Sequence, residues 1–125
     1  MITKEELQDK LENCYCTDNY YAYKLYGVKH IFNYTDGVLT FVRNAEAYWF
    51  LDMVASYVGK LKENYMSTIR LTIENNKATF SIYNDDDKEV AKQNIPFTDC
   101  PDGEYRFYMF WKDYDMPVMI WYREY

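Results

Sequence analysis

Residues 68–83 read TIRLTIENNKATFSIY, and the period of this stretch decides the fold. Ile69, Leu71 and Ile73 alternate with Thr68, Arg70, Thr72 and Glu74; after the turn Asn75-Asn76-Lys77, Ala78, Phe80 and Ile82 alternate with Thr79, Ser81 and Tyr83. A period of two sends successive side chains to opposite faces of a sheet, so two antiparallel strands are expected. Toward the C-terminus, Asn84-Asp85-Asp86-Asp87-Lys88 makes a second turn into a strand over Val90 to Ile95, which Pro96 stops because it has no N–H for a ladder. Pro101-Asp102-Gly103 opens a strand from Glu104 to Lys112, and Asp113-Tyr114-Asp115 turns into a last strand from Val118 to Tyr122. The expected product is an antiparallel meander of four to five strands.

Toward the N-terminus the period changes. Ala45 to Val58 (AEAYWFLDMVASYV) holds neither Gly nor Pro and is apolar nearly all round, as in a central core helix covered on most sides, with Gly59 placed to end it. Asp36 can cap a turn of helix through Val38, Phe41 and Val42, with a strand over Val38 to Arg43 as the alternative. The Tyr20 to Tyr34 segment, rich in aromatic and β-branched residues, reads as one or two irregular strands. Thr3 and Glu6 form a capping box for a short N-terminal helix from Lys4 to about Asn13, with Leu7, Leu11 and Cys14 as its apolar stripe. The expected fold class is α+β: one domain over residues 1–125, its meander sheet packed on a central core helix beside a short N-terminal helix.

The chain has 125 residues, 49% hydrophobic and 27% charged, which suits one domain. Its net charge of -6 gives a direct grip on nucleic acid no global support. The imbalance lies in the second half: residues 1–62 hold 8 acidic and 7 basic side chains, residues 63–125 hold 12 and 7. No apolar run is long enough to span a bilayer, and three cysteines form no paired framework, so a cytoplasmic chain with reduced thiols is expected. Fifteen Tyr, 7 Phe and 3 Trp stand against 4 Gly. Aromatic side chains bury large areas and anchor interfaces but perform little chemistry alone.

Residues with chemical potential are few. His30 is the single histidine, and Ser56, Ser67 and Ser81 lie within a helix or strands rather than in a nucleophile elbow, so no catalytic set emerges. Cys14-x-Cys16 with His30 and Cys100 lacks the paired two-to-four-residue spacing of a zinc site. Asp85, Asp86, Asp87 and Glu89 are consecutive acids in a turn rather than the alternating ligands of a calcium loop. With 4 Gly there is no phosphate loop, and no cofactor or metal is expected. Asp52 lies in the most apolar helix between Tyr48 and Ser56, where a buried carboxylate needs partners; a structural network to a neighbouring element is the simpler account, a catalytic acid the sharper one.

The segment Tyr34-Thr35-Asp36-Gly37-Val38, followed by Ala45-Glu46-Ala47-Tyr48-Trp49-Phe50-Leu51-Asp52 and Ala55-Ser56, resembles a family of small bacterial, phage and plasmid proteins of unknown function with a TDGV segment and an AGAYWLLD-x-x-AS helix. Ile95-Pro96-Phe97-Thr98-Asp99 is similar to that family as well, and Glu46 stands where the family usually has Gly. The resemblance carries no catalytic residues. It implies a context of mobile elements, where many small acidic proteins, anti-CRISPR proteins among them, bind and block host defence enzymes.

The expected function is therefore a non-enzymatic, acidic interaction protein that blocks a defence or nucleic-acid-handling enzyme, a CRISPR effector for example, through a basic surface of that enzyme. Candidate partner-binding residues are Asp85, Asp86, Asp87, Glu89, Glu104, Tyr108, Phe110, Asp113, Tyr114, Asp115 and Trp121, on the surface formed by residues 104–122 and its acidic flank. Asp36, Gly37, Tyr48, Trp49, Asp52 and Ser56 form a structural motif. A second copy of the chain is an alternative cover for the aromatic face. An alternative function is a nucleotide-binding module whose pocket is lined by Tyr48, Trp49, Tyr108 and Trp111.

Overall fold

A computed structural model describes residues 2–62, 64–111 and 116–125. In chain order the elements are α1 (Lys4–Glu12), β1 (Tyr20–Leu25), β2 (Lys29–Thr35), α2 (Asp36–Asn44), α3 (Tyr48–Tyr57), a 3-10 turn (Val58–Leu61), β3 (Met66–Glu74), β4 (Lys77–Tyr83), β5 (Glu89–Ile95), β6 (Gly103–Phe110), β7 (Val118–Trp121) and a 3-10 turn (Tyr122–Glu124). The fold is α+β, but the sheet has seven strands in the order β1-β2-β7-β6-β3-β4-β5 rather than a meander of four or five.

Two non-local pairings make the difference. β6 returns to the far side of β3, with Arg70 opposite Arg106, instead of continuing beyond β5. β7 then inserts between β6 and β2 and runs parallel to β2 through Asn33–Val118 and Tyr34–Met119. The sheet is therefore mixed, and the Tyr20 to Tyr34 segment becomes its outer hairpin.

The local features follow the residues. Asn75 and Asn76 adopt φ of 52° and 65°, the left-handed pair that a two-residue hairpin turn needs and that Asn tolerates. Thr3 and Glu6 close the capping box of α1, which buries Leu7 and Leu11. Val38, Phe41 and Val42 are buried on α2, a helix rather than a strand. The single core helix expected from Ala45 to Val58 is shortened to α3: α2 ends at Asn44, Glu46 turns the chain at φ 54°, and a new helix starts at Tyr48. Gly59 lies within the 3-10 turn that extends α3 instead of ending it.

The core lies between the helices and one face of the sheet. Its centre is a set of fully buried phenylalanines, with ring centroids of Phe41, Phe50, Phe80 and Phe107 between 5.1 and 5.9 Å apart for the four contacting pairs. Inward positions of β3, β4 and β6 are buried while Thr68, Arg70, Arg106, Tyr108 and Phe110 on the other face remain half-exposed.

Candidate functional site

The alternation of β6 divides the C-terminal aromatics. Tyr105, Phe107 and Met109 point into the core, and so does Trp121 from β7, only 4% exposed. The Trp121 ring packs edge-on to Phe107 at 5.3 Å and its Nε1–H donates to the Leu11 carbonyl at 3.2 Å. Trp121 thus belongs to the core and not to the partner-binding surface expected of it. The Tyr105 hydroxyl donates to the Pro101 carbonyl at 2.7 Å, and burial raises its pKa.

Tyr108 and Phe110 point the other way. None of α1, α2 and α3 covers this face; among the described residues its aromatic cluster is completed by Tyr125, stacked on Phe110 at 5.6 Å and edge-on to Tyr108 at 5.7 Å, and by Tyr65, edge-on to Phe110 at 5.8 Å. Beside the cluster runs a cross-strand row in which Arg106 faces Arg70, Arg70 faces Ser81 and Ser81 faces Lys92. Like charges directly opposite on a sheet repel. The two guanidinium groups turn to tyrosine rings, Arg70 over Tyr83 at 5.1 Å and Arg106 over Tyr122 at 5.7 Å. Arg70 Nε is buried and makes no hydrogen bond among the described residues. The middle of the face is thus cationic, although the half of the chain that builds it is acidic.

The acids stand at the margins. Asp85 spends its carboxylate on the backbone N–H groups of Tyr65 and Met66 at 3.0 and 3.1 Å, tying the β4–β5 turn to the start of β3. Asn84 Oδ1 accepts from the N–H groups of Asp86 and Lys88, so the acidic run is a hydrogen-bonded turn. Asp86, Asp87 and Glu89 are exposed at one edge and Glu104 at the other end of β6. Asp113, Tyr114 and Asp115 lie outside the described residues.

The TDG segment is a structural junction. Asp36 accepts from the Tyr21 hydroxyl at 2.7 Å and from the N–H groups of Asp18 and Asn19 at 2.9 and 3.3 Å, which holds its pKa below the usual carboxylate range. Glu124 binds the Gly37 N–H at 3.0 Å, the Thr35 hydroxyl at 2.5 Å and the Trp121 N–H at 2.8 Å, placing a negative charge at the start of α2 where the helix dipole favours it. A Cβ on Gly37 would lie 2.5 Å from Glu124 Oε1 and 2.7 Å from Trp121 Cβ, so only glycine fits. Nothing local in the sequence marks Glu124.

Asp52 is exposed, not buried, because it sits on the solvent side of α3. It accepts from the Tyr23 hydroxyl at 2.6 Å and thereby ties α3 to β1; burial and this carboxylate push the Tyr23 pKa up to about 12. Ser56 Oγ donates to the Met53 carbonyl, and Tyr48 is half exposed. His30 pairs with Asn33 at 2.6 Å. Cys14, Cys16 and Cys100 are free thiols, that of Cys100 pushed up to about 12 by burial, and no group of three His, Cys, Asp or Glu among the described residues is arranged to hold a metal. The pocket expected from Tyr48, Trp49, Tyr108 and Trp111 is not assembled: Trp49 and Trp111 pack against the core, whereas the alternation of β6 sends Tyr108 to the opposite face.

Residues 5–125 match the model of a family of unknown function, DUF6876. The chain belongs to this family. No curated protein and no solved structure matches it. In this DUF6876 member the segments around Glu46 and Phe97, far apart in sequence, meet in a groove of about 420 Å³ between the start of α3 and the chain after β5, a site missed from spacing alone. Asp36, Tyr23, Cys100 and Tyr105, whose pKa values are shifted, are held in the fold's own hydrogen bonds or in its core. The outer sheet face presents aromatic rings, two arginines without a carboxylate partner among the described residues, and an acidic edge. No helix of the described residues is long and apolar enough to cross a membrane.

Proposed function

We propose that this protein is a non-enzymatic interaction protein that docks the uncovered face of its sheet on a partner protein and blocks it. The observation that supports this reading is the face itself: Tyr108, Phe110, Tyr125 and Tyr65 form an aromatic cluster that none of α1, α2 and α3 covers, next to Arg70 and Arg106 facing each other without a counter-ion among the described residues. Aromatic and arginine side chains are the commonest anchors of protein interfaces. The complementary partner surface is apolar, with carboxylates opposite the two arginines and basic groups opposite Asp86, Asp87 and Glu89.

The proposed target class is a host defence or nucleic-acid-handling enzyme, CRISPR effectors included, and the proposed setting is a phage or other mobile element in a bacterial cytoplasm; the family resemblance motivates both. Titration calorimetry against purified effectors and defence nucleases at two salt concentrations tests it. The parent chain is expected to bind one of them, and Arg70→Glu/Arg106→Glu to bind it at least tenfold more weakly. Binding to none, or equal binding by the variant, removes the reading.

A further inference from the structure

A groove in the helix layer stands apart from the open sheet face. The groove between the start of α3 and the chain after β5 is lined by Trp49, Met53, Ile95 and Phe97 together with the carboxylates of Glu46 and Asp99. Its walls are fixed by backbone hydrogen bonds. Ala45 N–H donates to the Phe41 carbonyl and Ala47 N–H to that of Val42 on one side, while Thr98 N–H donates to the Asn76 carbonyl at 2.8 Å on the other. Phe97 is 63% exposed and its ring has no aromatic contact among the described residues. Glu46 and Asp99 are also exposed, and neither makes a hydrogen bond or ion pair there.

The chemistry of this lining selects its ligand. Two carboxylates repel an anion, and a neutral apolar group would strip their water without replacing it. A cation on an apolar stem answers both parts, with its charge against the carboxylates and its stem and π-face against Trp49, Phe97 and Met53. Arginine suits this better than lysine, because its planar guanidinium stacks on aromatic rings while its N–H groups fork to carboxylate oxygens. The backbone adds a further indication. Glu46 holds φ 54°, a conformation that favours glycine, and so the fold carries a strained residue whose carboxylate lines the groove.

We infer that the Trp49–Phe97 groove binds an arginine side chain presented by a partner protein. The probe is the tripeptide acetyl-Gly-Arg-Gly-amide, followed through the indole N–H resonance of Trp49 in the full chain. Saturable shifts of that resonance are expected, with no response to the neutral citrulline tripeptide. Glu46→Gly and Asp99→Asn are each expected to raise Kd roughly two- to fivefold, as for a half-open ion pair. Glycine adopts φ 54° freely, so loss of binding in Glu46→Gly cannot be ascribed to misfolding. Tyr108→Ser/Phe110→Ser leaves this binding intact, which separates the outcome from that of the open face. An equal response to citrulline, an unchanged Kd in both carboxylate variants, or a silent Trp49 overturns the assignment.

Discussion

Phe107 and Phe110 lie three residues apart on one strand and have opposite surroundings. Phe107 is fully buried, its ring between Phe41, Phe50 and Trp121; Phe110 is half-exposed, its ring against Tyr65 and Tyr125 on a face that none of α1, α2 and α3 covers. The same residue type has separate surroundings on the two sides of β6, because a strand alternates its side chains and α1, α2 and α3 pack on one side. An excess of aromatics in the composition therefore divides into a part packed in the core and a part clustered on the outer face. The charges divide in the same way: Asp36 and Glu124 serve the junction of α2 with the sheet, whereas Arg70 and Arg106 serve no ion pair among the described residues.

The largest expected effect is on the inner side. Phe107→Ala removes a ring that touches three others and is expected to cost about 3–5 kcal/mol in urea unfolding. A loss below about 1 kcal/mol would mean that the inner face is not the core. Next comes Gly37→Ala, expected to cost roughly 2–3 kcal/mol because its methyl meets Trp121 Cβ as well as Glu124. The same substitution in a Glu124→Ala background is expected to cost less, a coupling that a double-mutant cycle reads directly.

Asp36→Asn is expected to cost roughly 1–2 kcal/mol near neutral pH and to change the acid limb of stability. The Asp36 pKa is depressed in the fold, so its contribution is complete above the ordinary value of 3.8 and is lost as pH falls through the lower folded value. Urea midpoints between pH 2 and 6 should therefore fall less steeply in the variant, by roughly one carboxylate's share. Tyr23→Phe is the smaller, alkaline counterpart. The Tyr23 pKa is raised from 10.0 to about 12, so its contribution is complete below pH 10 and is lost as pH rises toward 12. The variant should be less stable by about 0.5–1 kcal/mol at pH 7, the share of one hydrogen bond, and should lose that part of the alkaline dependence; an unchanged alkaline limb would remove the Tyr23–Asp52 bond from the account.

Much of the inner side was legible in the sequence. The Thr3/Glu6 capping box, the Val38, Phe41, Val42 spacing of α2, the hairpin at Asn75-Asn76 and the inward residues of β3 and β4 are set by neighbours within four or so positions, and local periodicity reads them. The arrangement across the sheet was not legible. Parallel pairing of Asn33 with Val118 and the reach of Glu124 to Gly37 join residues more than 80 positions apart, for which no local pattern exists. The inward phase of Trp121 is not legible locally, because the phase of a four-residue strand is set by its partners, here Phe107 opposite Trp121 and Phe110 opposite Val118. Asp52 was read as buried because its helix is apolar nearly all round, yet one side of α3 faces solvent. The acidic half of the chain suggested an acidic face, whereas register places Arg70 opposite Arg106 at its middle and the aspartates at its edge.

The division of β6 into a side that holds the fold and a side proposed to bind is tested most directly by equilibrium urea unfolding of Tyr108→Ser/Phe110→Ser. The predicted result is a loss of roughly 1–2 kcal/mol, the share of two half-exposed rings and their aromatic contacts and well short of the cost of Phe107→Ala. A loss as large as that of Phe107→Ala would make the outer face a second core and contradict the account.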